Sequence, residues 1–152
     1  MENPEEILNL AEQRLKEAEI LLENDMSDGA FYLAGYSVEL TLKAKLCERF
    51  CVPTLFKSNK ELGIQTPEIS SNIKKMVQTH NLNELILVCG LHYKLLDFKQ
   101  SSVVANKNVD LIFKKWKVDI RYKNTGLSKN KVKQIINFLK NNKGILQWIK
   151  DS

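Results

Sequence analysis

The segment GAFYLAGYSVELTLKAKL, residues 29–46, combines an apolar helical pattern with a row of polar side chains. Its apolar side chains recur at spacings of three and four, which is the pattern of one face of an α-helix: Phe31, Gly35, Val38, Leu42 and Leu46. Four side chains with polar groups follow a neighbouring face and are called the polar stripe: Tyr32, Tyr36, Glu39 and Lys43. Because the flanks of the stripe are also apolar, we expect other helices to surround this one.

Two interpretations of the polar stripe follow from the spacing of Glu39 and Lys43. They are four residues apart in the favourable order, so they can form a surface ion pair contributing about 0.3–0.5 kcal/mol. Alternatively the stripe is semi-buried, and the carboxylate then needs a cationic partner. We favour the second interpretation and name Arg121 as the expected partner of Glu39, since it is the only arginine after Arg49 and its planar fork suits a carboxylate.

Composition and periodicity predict one all-α domain over residues 1–152, an antiparallel up-and-down bundle of four to five helices. The chain has 43% apolar and 27% charged residues with only three prolines and six glycines, which is typical of a helical domain that buries its own core. No segment has a convincing strand pattern. The five predicted helices of the bundle begin at an Asn3 cap, at a Ser27 or Asp28 cap, at an Asn81 cap, before Val109 and after Ser128. The segment from Pro53 to Ser71 is interpreted as a connector, with a short helix from Pro67 towards Val77.

The sequence also predicts where three of these helices end. The second is expected to end at about Phe50 or Cys51, ahead of Pro53. The third should run unbroken from the Asn81 cap through Cys89 to Leu96, and the last from Ser128 to Ile149. We expect the segment KVDIRYKNTGLS, residues 117–128, to be a loop.

The cysteines and histidines do not indicate a metal or cofactor site. Cys47, Cys51 and Cys89 are interpreted as small buried apolar residues, and His80 and His92 lie far from them without zinc-ligand spacing. His80 is interpreted as part of a helix cap. No segment is long and apolar enough to span a membrane, and the acidic start MENPEEILNL is unlike a secretory signal, so we expect a cytoplasmic protein.

Charge is distributed unevenly along the chain. Residues 1–50 carry a net charge of −6 and residues 51–152 a net charge of +11. Many of the cations surround two aromatic residues, Trp116 and Tyr122: Lys114, Lys115, Lys117, Arg121, Lys123, Lys129, Lys131 and Lys133. Such a surface suits phosphate-bearing ligands, with the aromatic rings as stacking surfaces. It is equally compatible with a solvated lysine-rich face over a core Trp116, or with the two halves of the chain attracting each other.

The second predicted helix, together with the later segments HNLNEL and WKVDIRY, resembles the HEPN domain family, helical domains named for nucleotide binding in higher eukaryotes and prokaryotes. The resemblance covers nearly the whole chain, from about Pro4 to Ile149. It implies a helical bundle that forms a homodimer with polar helix faces lining a cleft between the subunits. It also implies candidate nucleotide- or RNA-binding residues: Tyr36, Glu39, Lys43, Arg121, Tyr122 and Lys123.

Many members of the family are metal-independent ribonucleases, and this chain departs from their motif. That motif has a histidine a short distance after an arginine, and the corresponding positions here are Gly126, Leu127 and Ser128. Metal-free phosphodiester cleavage needs a group that exchanges protons near neutral pH, so we predict no catalytic residues and a nucleotide- or RNA-binding function. Alternatives are a protein-interaction subunit paired with a nucleotidyltransferase-type antitoxin, and an active ribonuclease that uses an unrecognised acid.

Overall fold

The computed structural model describes residues 3–51, 75 and 77–152. This part of the chain is helical and contains no strand, which confirms the all-α fold class. Its elements, in chain order, are α1 Pro4–Glu23, α2 Ser27–Arg49, α3 Leu82–Val88, α4 His92–Gln100, α5 Val103–Lys115, a 3-10 helix Val118–Tyr122, α6 Lys129–Lys140 and α7 Ile145–Asp151.

Helix α1 begins as its sequence predicts. Asn3 is the N-cap, its side-chain oxygen accepts a hydrogen bond from the backbone N–H of Glu6 at 2.8 Å, and Pro4 is the first helical residue. One narrow face is buried against α2: Ile7, Ala11, Leu15, Ala18 and Leu22. The two helices form the most extensive contact in the described part of the chain.

The start of α2 differs from the prediction. The N-cap is Met26, which makes no side-chain cap bond, so the expected cap by Ser27 or Asp28 is wrong. The Asp28 carboxylate is used elsewhere: its Oδ1 accepts bonds from the backbone N–H and the hydroxyl of Thr125. Asp28 therefore fastens the distant loop after the 3-10 helix to the first turn of α2. The other end agrees with the sequence, since α2 finishes at Arg49 with Phe50 as its C-cap.

Helix α2 lies at the centre of the molecule. It packs against α1, α3, α6, α7 and the 3-10 helix, and an unbroken run of buried residues extends from Ser37 to Cys47. Its buried hydroxyls are satisfied within the helix, because Ser37 donates to the Ala34 carbonyl and Thr41 to the Ser37 carbonyl. The buried carboxylate and amines of this run need partners outside the backbone.

Two predicted long helices are each divided in two. The helix predicted from Asn81 to Leu96 breaks at Gly90, whose φ of +67° is the left-handed conformation that ends α3. The last helix breaks between Lys140 and Ile145, where a Cβ at Gly144 would overlap the Phe138 carbonyl. Apolar residues seven apart across each break, Cys89 and Leu96 or Leu139 and Leu146, are why periodicity alone predicted continuous helices. Leu146 is buried, but Leu96 is 40% exposed and its neighbour Leu95 is buried instead.

Between the helices, two predicted caps are confirmed and one predicted loop contains a short helix. Asn81 and Ser128 are N-caps with side-chain cap bonds, as predicted. The segment 117–128, expected to be a loop, contains the 3-10 helix Val118–Tyr122. The short helix predicted from Pro67 towards Val77 lies almost entirely outside the described residues. Within the described ranges, no helix has the length and apolar character required to cross a bilayer.

Candidate functional site

The charged members of the polar stripe, Glu39 and Lys43, are buried, whereas its tyrosines are partly exposed. Glu39 is 1% exposed and Lys43 is 4% exposed, and the Lys43 Nζ lies 2.8 Å from the Glu39 Oε1. The semi-buried interpretation is therefore confirmed, and the surface ion pair is not what forms. Burial removes both charges from water, and this desolvation cost offsets much of the Coulomb attraction between them. The net contribution of the pair to stability therefore depends on the close approach of the two groups.

The second partner of Glu39 is His80 rather than Arg121. The Nδ1 of His80 lies 2.9 Å from the Glu39 Oε1, and the His80 side chain is 54% exposed. Arg121 makes no ion pair with any carboxylate in the described part of the chain, so the expected Glu39–Arg121 contact is not present there. Sequence reasoning assigned His80 to a helix cap, and no periodic signal could have shown that it faces α2 across 41 residues.

The Glu39 carboxylate determines which nitrogen of His80 carries a proton. A carboxylate can only accept a hydrogen bond, so Nδ1 must be the donor and Nε2 points to the other side of the ring. The arrangement is thus an exposed imidazole oriented by a buried carboxylate. The Lys43 Nζ contacts the same oxygen of that carboxylate.

The tyrosines of the stripe form an aromatic ladder with Trp116. The ring centroids of Tyr32 and Tyr36 are 6.3 Å apart, and those of Tyr32 and Trp116 are also 6.3 Å apart. Trp116 is 2% exposed, its indole N–H donates to the Tyr32 carbonyl at 2.9 Å, and its ring occupies the space that a Cβ at Gly35 would need. Trp116 is therefore a core residue and not a stacking surface for ligands.

Tyr36 lies beside the charged groups of the stripe. Burial, followed by the nearby Glu39 carboxylate, raises the pKa of the Tyr36 hydroxyl, and Arg14 on α1 opposes the rise. The hydroxyl therefore remains protonated. Two buried polar atoms near this position have no hydrogen-bond partner among the described residues, the Glu39 Oε2 and the Arg14 Nε.

Arg121, Tyr122 and Lys123 lie together on the protein surface, at the end of the 3-10 helix. The guanidinium carbon of Arg121 is 4.8 Å from the centroid of the Tyr122 ring, and Tyr122 is 77% exposed. Lys123 differs from these two because its Nζ is 2.5 Å from Asp119, and that hydrogen bond lowers the pKa of the Asp119 carboxyl. The pair Arg121–Tyr122 presents a cation and an aromatic face to solvent.

The segment that carries Arg121 is fixed to the first part of α2. The 3-10 helix packs against α2, Thr125 is bonded to Asp28, and Lys129 pairs with Asp25 at 2.6 Å. Arg121 and Tyr122 are therefore held next to the beginning of the polar stripe, although neither touches Glu39.

Some of the oppositely charged residues of the two halves of the chain form ion pairs with each other. Three ion pairs join the acidic first helices to the basic later half: Lys129–Asp25, Lys140–Glu19 and Lys150–Glu12. The interpretation that the two halves attract each other is therefore supported. Lys115, Lys117 and Lys133 are exposed and form no such pair among the described residues, so a basic surface remains around the 3-10 helix.

The described residues contain no group of side chains arranged to hold a metal ion. Cys47 and Cys89 are buried, in agreement with the sequence analysis, whereas Cys51 is exposed and that part of the prediction is wrong. Burial raises the pKa of the Cys89 thiol to about 12.

Comparison with known proteins identifies the family. The family model of the HEPN domain matches residues 4–151. Neither the comparison with curated proteins nor that with solved structures finds a match. Because the family match spans almost the whole chain and the described fold is all-α, this chain belongs to the HEPN domain family.

Proposed function

We propose that this HEPN domain binds a nucleotide or RNA through Arg121 and Tyr122 without cleaving it. The family match supports a function of this broad kind and not its details. The observation that carries the proposal is the exposed Arg121–Tyr122 pair, in which a guanidinium lies 4.8 Å from the centroid of a ring that is 77% exposed. Such a pair can contact a phosphate and stack with a base at the same time.

The neighbourhood of this pair supports phosphate binding. Lys115 and Lys117 are exposed close to it in the chain and add positive potential that attracts polyanions. Lys123 is a weaker candidate contact, because a ligand would have to compete with Asp119 for its ammonium group. Glu39 and Lys43 are buried against each other and contribute by positioning neighbouring groups rather than by touching the ligand directly.

The absence of catalysis is part of the proposal. No histidine follows Arg121 in the sequence, and the loop after it contains Thr125, whose hydroxyl is bonded to Asp28. Nothing in that loop can exchange a proton near neutral pH as metal-free phosphodiester cleavage requires. Incubation of the protein with labelled RNA and a chelator should leave the RNA intact. Cleavage that disappears in Arg121→Ala would contradict this part of the proposal.

Binding is tested by titrating a fluorescent single-stranded RNA at several salt concentrations. Loss of one phosphate contact in Arg121→Ala should reduce the slope of log affinity against log salt by about 0.7. Tyr122→Ala should weaken binding roughly tenfold by removing a stacking surface, while Tyr122→Phe should bind as the wild type does.

The matched control is Lys143→Ala. Lys143 follows α6, whereas Arg121 precedes it, and twelve helical residues separate the two ends by about 18 Å. This variant removes one exposed cation away from the proposed surface and should bind like the wild type. Equal weakening by Lys143→Ala and Arg121→Ala would mean that the protein merely attracts polyanions through its net charge.

We also propose that the domain forms a homodimer whose cleft includes Tyr36, a partly exposed member of the polar stripe. Support comes from the family membership and from the partial exposure of Tyr36 beside the buried Glu39. One chain has a mass of 17.5 kDa, and light scattering on the purified protein should give twice that mass. A monomer at the concentrations that bind RNA would reject the dimer and leave the RNA surface to be tested separately.

A second candidate function, pairing with a nucleotidyltransferase-type protein, is favoured by exposed apolar side chains on α3, α4 and α5: Leu87, Tyr93, Leu96, Val103 and Val104. Exposed large apolar side chains on three consecutive helices provide apolar surface for a partner protein to cover. Co-expression with the product of a neighbouring gene should give a complex that Tyr93→Ser and Val104→Ser weaken. RNA binding by those two variants should be unchanged.

A further inference from the structure

His80 is the one exposed member of the charged group built around Glu39. Its Nδ1 is committed to the Glu39 Oε1 at 2.9 Å, and its Nε2 makes no hydrogen bond within the described residues. The side chain is about half exposed, whereas Glu39 is 1% exposed. A buried carboxylate therefore fixes the ring while the opposite nitrogen remains available to a ligand.

The charges around His80 determine which ligand that nitrogen suits. On α2, Glu39 is balanced by Lys43, and the Tyr36 hydroxyl is kept protonated by its raised pKa. Glu84 on α3 is occupied by hydrogen bonds from Thr79 and Asn81, and Arg14 on α1 adds positive charge near Tyr36. With these groups in place a protonated His80 gives the cluster a net positive charge, which an anion complements.

The segments that lead to Arg121 and to His80 both contact the polar stripe of α2, at different positions. Tyr32 contacts Trp116, the residue that leads into the 3-10 helix carrying Arg121, and Glu39 contacts His80. The seven residues from Tyr32 to Glu39 span about 10 Å along a helix. At about 3.4 Å per stacked nucleotide of one strand, this distance corresponds to about three nucleotides, which is more than a mononucleotide covers.

We propose that His80 is a second phosphate contact of the RNA-binding surface, with Nε2 as the contacting atom and Glu39 as its positioning residue. This inference rests on the proposed function and makes it more specific, because it selects an RNA strand over a single nucleotide. With Nδ1 bonded to Glu39, a charged imidazole donates its Nε2–H to a phosphate oxygen.

The test uses a ten-nucleotide RNA without terminal phosphates, whose backbone phosphodiesters do not titrate near neutral pH. Calorimetry at pH 7.5 measures the affinity. The variant His80→Asn places an amide near the position of Nδ1 and lacks the outward nitrogen. We expect it to bind the strand about fivefold to tenfold more weakly than the wild type.

A mononucleotide, adenosine monophosphate, provides the matched ligand control. Its binding at Arg121 should be the same for the wild type and for His80→Asn. The isosteric Glu39→Gln should still bind the strand, because its amide oxygen can accept the hydrogen bond from Nδ1 and keep the ring oriented. Thermal unfolding of each variant distinguishes a lost contact from a lost fold.

The outcomes separate the two proposals. If Arg121→Ala weakens strand binding while His80→Asn matches the wild type in affinity, the His80 contact is overturned and the proposed function stands. If His80→Asn weakens mononucleotide binding equally, the site is a nucleotide pocket and the strand assignment fails. If the wild type binds neither RNA nor mononucleotide, both proposals fall.

Discussion

The buried pair Glu39–Lys43 gives the sharpest test of the structure through the substitution Lys43→Met. Met keeps the apolar stem of the side chain and removes its charge. At 2.8 Å and an effective dielectric constant of about 20, the Coulomb attraction is about 6 kcal/mol, of which desolvation offsets a large part. Removing one partner of a buried pair typically destabilises a protein by about 3–5 kcal/mol, because the other charge stays buried.

We expect a loss of about 3 kcal/mol for Lys43→Met, at the lower end of that range, because His80 still donates a hydrogen bond to Glu39. In a chain of this length the loss corresponds to a fall in Tm of about 6–12 °C. Urea denaturation followed by circular dichroism measures it. The double variant Glu39→Leu/Lys43→Met should recover much of the stability, since apolar replacements of a whole buried pair are often neutral.

The control for this experiment is the exposed pair Asp110–Lys114. It has the same four-residue spacing, a separation of 3.0 Å, and a Lys114 side chain that is 74% exposed. Lys114→Met should therefore change the free energy of unfolding by no more than about 0.5 kcal/mol. A loss below about 1 kcal/mol for Lys43→Met, or equal losses for the two variants, would refute the claim that Glu39 and Lys43 are buried together.

Three further predictions concern packing and burial. Gly35→Ala should destabilise the fold by roughly 1–3 kcal/mol in denaturant titrations, because its methyl group would overlap the Trp116 indole. In the native protein, iodoacetamide should modify the exposed Cys51 but not Cys89, whose raised pKa of about 12 leaves almost no thiolate at pH 8; mass mapping shows which thiol reacts, and labelling of Cys89 before unfolding would contradict its burial. Lys45→Met should lower the urea midpoint by the equivalent of about 1–2 kcal/mol, because the Lys45 Nζ donates to the Lys150 carbonyl and thereby links α2 to α7.

The sequence was sufficient for the fold class and for the features set by neighbouring residues. The Asn3, Asn81 and Ser128 caps were predicted from side chains that act within three residues of themselves. The same local rule failed at Asp28, because a contact with Thr125, 97 residues later in the chain, uses its carboxylate. A competing long-range bond cannot be read from a local pattern.

The breaks at Gly90 and Gly144 show a second limit of periodicity. A hydrophobic pattern reports which faces are buried, and the apolar residues on both sides of each break continue to face one core. The pattern therefore survives a change of helix axis. The turn residues themselves carried the missing information, since Gly90 has the positive φ expected after a helix end.

The sequence predicted the burial of Glu39 in the candidate site but not the residues that Glu39 contacts. The inward orientation of Glu39 followed from the apolar flanks of the stripe, but its partner was assigned to Arg121 because only charge and hydrogen-bonding shape were considered. Lys43, one helical turn away, neutralises the charge of Glu39. His80, the residue before the Asn81 cap, contacts the same oxygen. Choosing between distant partners requires the arrangement of the helices, which periodicity does not determine.

The partners of Glu39 also bear on why a charged group is buried in α2 at all. A buried ion pair is often no more stabilising than apolar residues of the same size, so stability alone does not explain the presence of Glu39 in a helix that is otherwise well packed. One of its oxygens has no partner among the described residues, while the other binds both Lys43 and His80. Of these groups only His80 extends to the surface. The physical effect of the buried charge is thus to fix an exposed imidazole, which is the arrangement that a contact between Nε2 and a ligand requires.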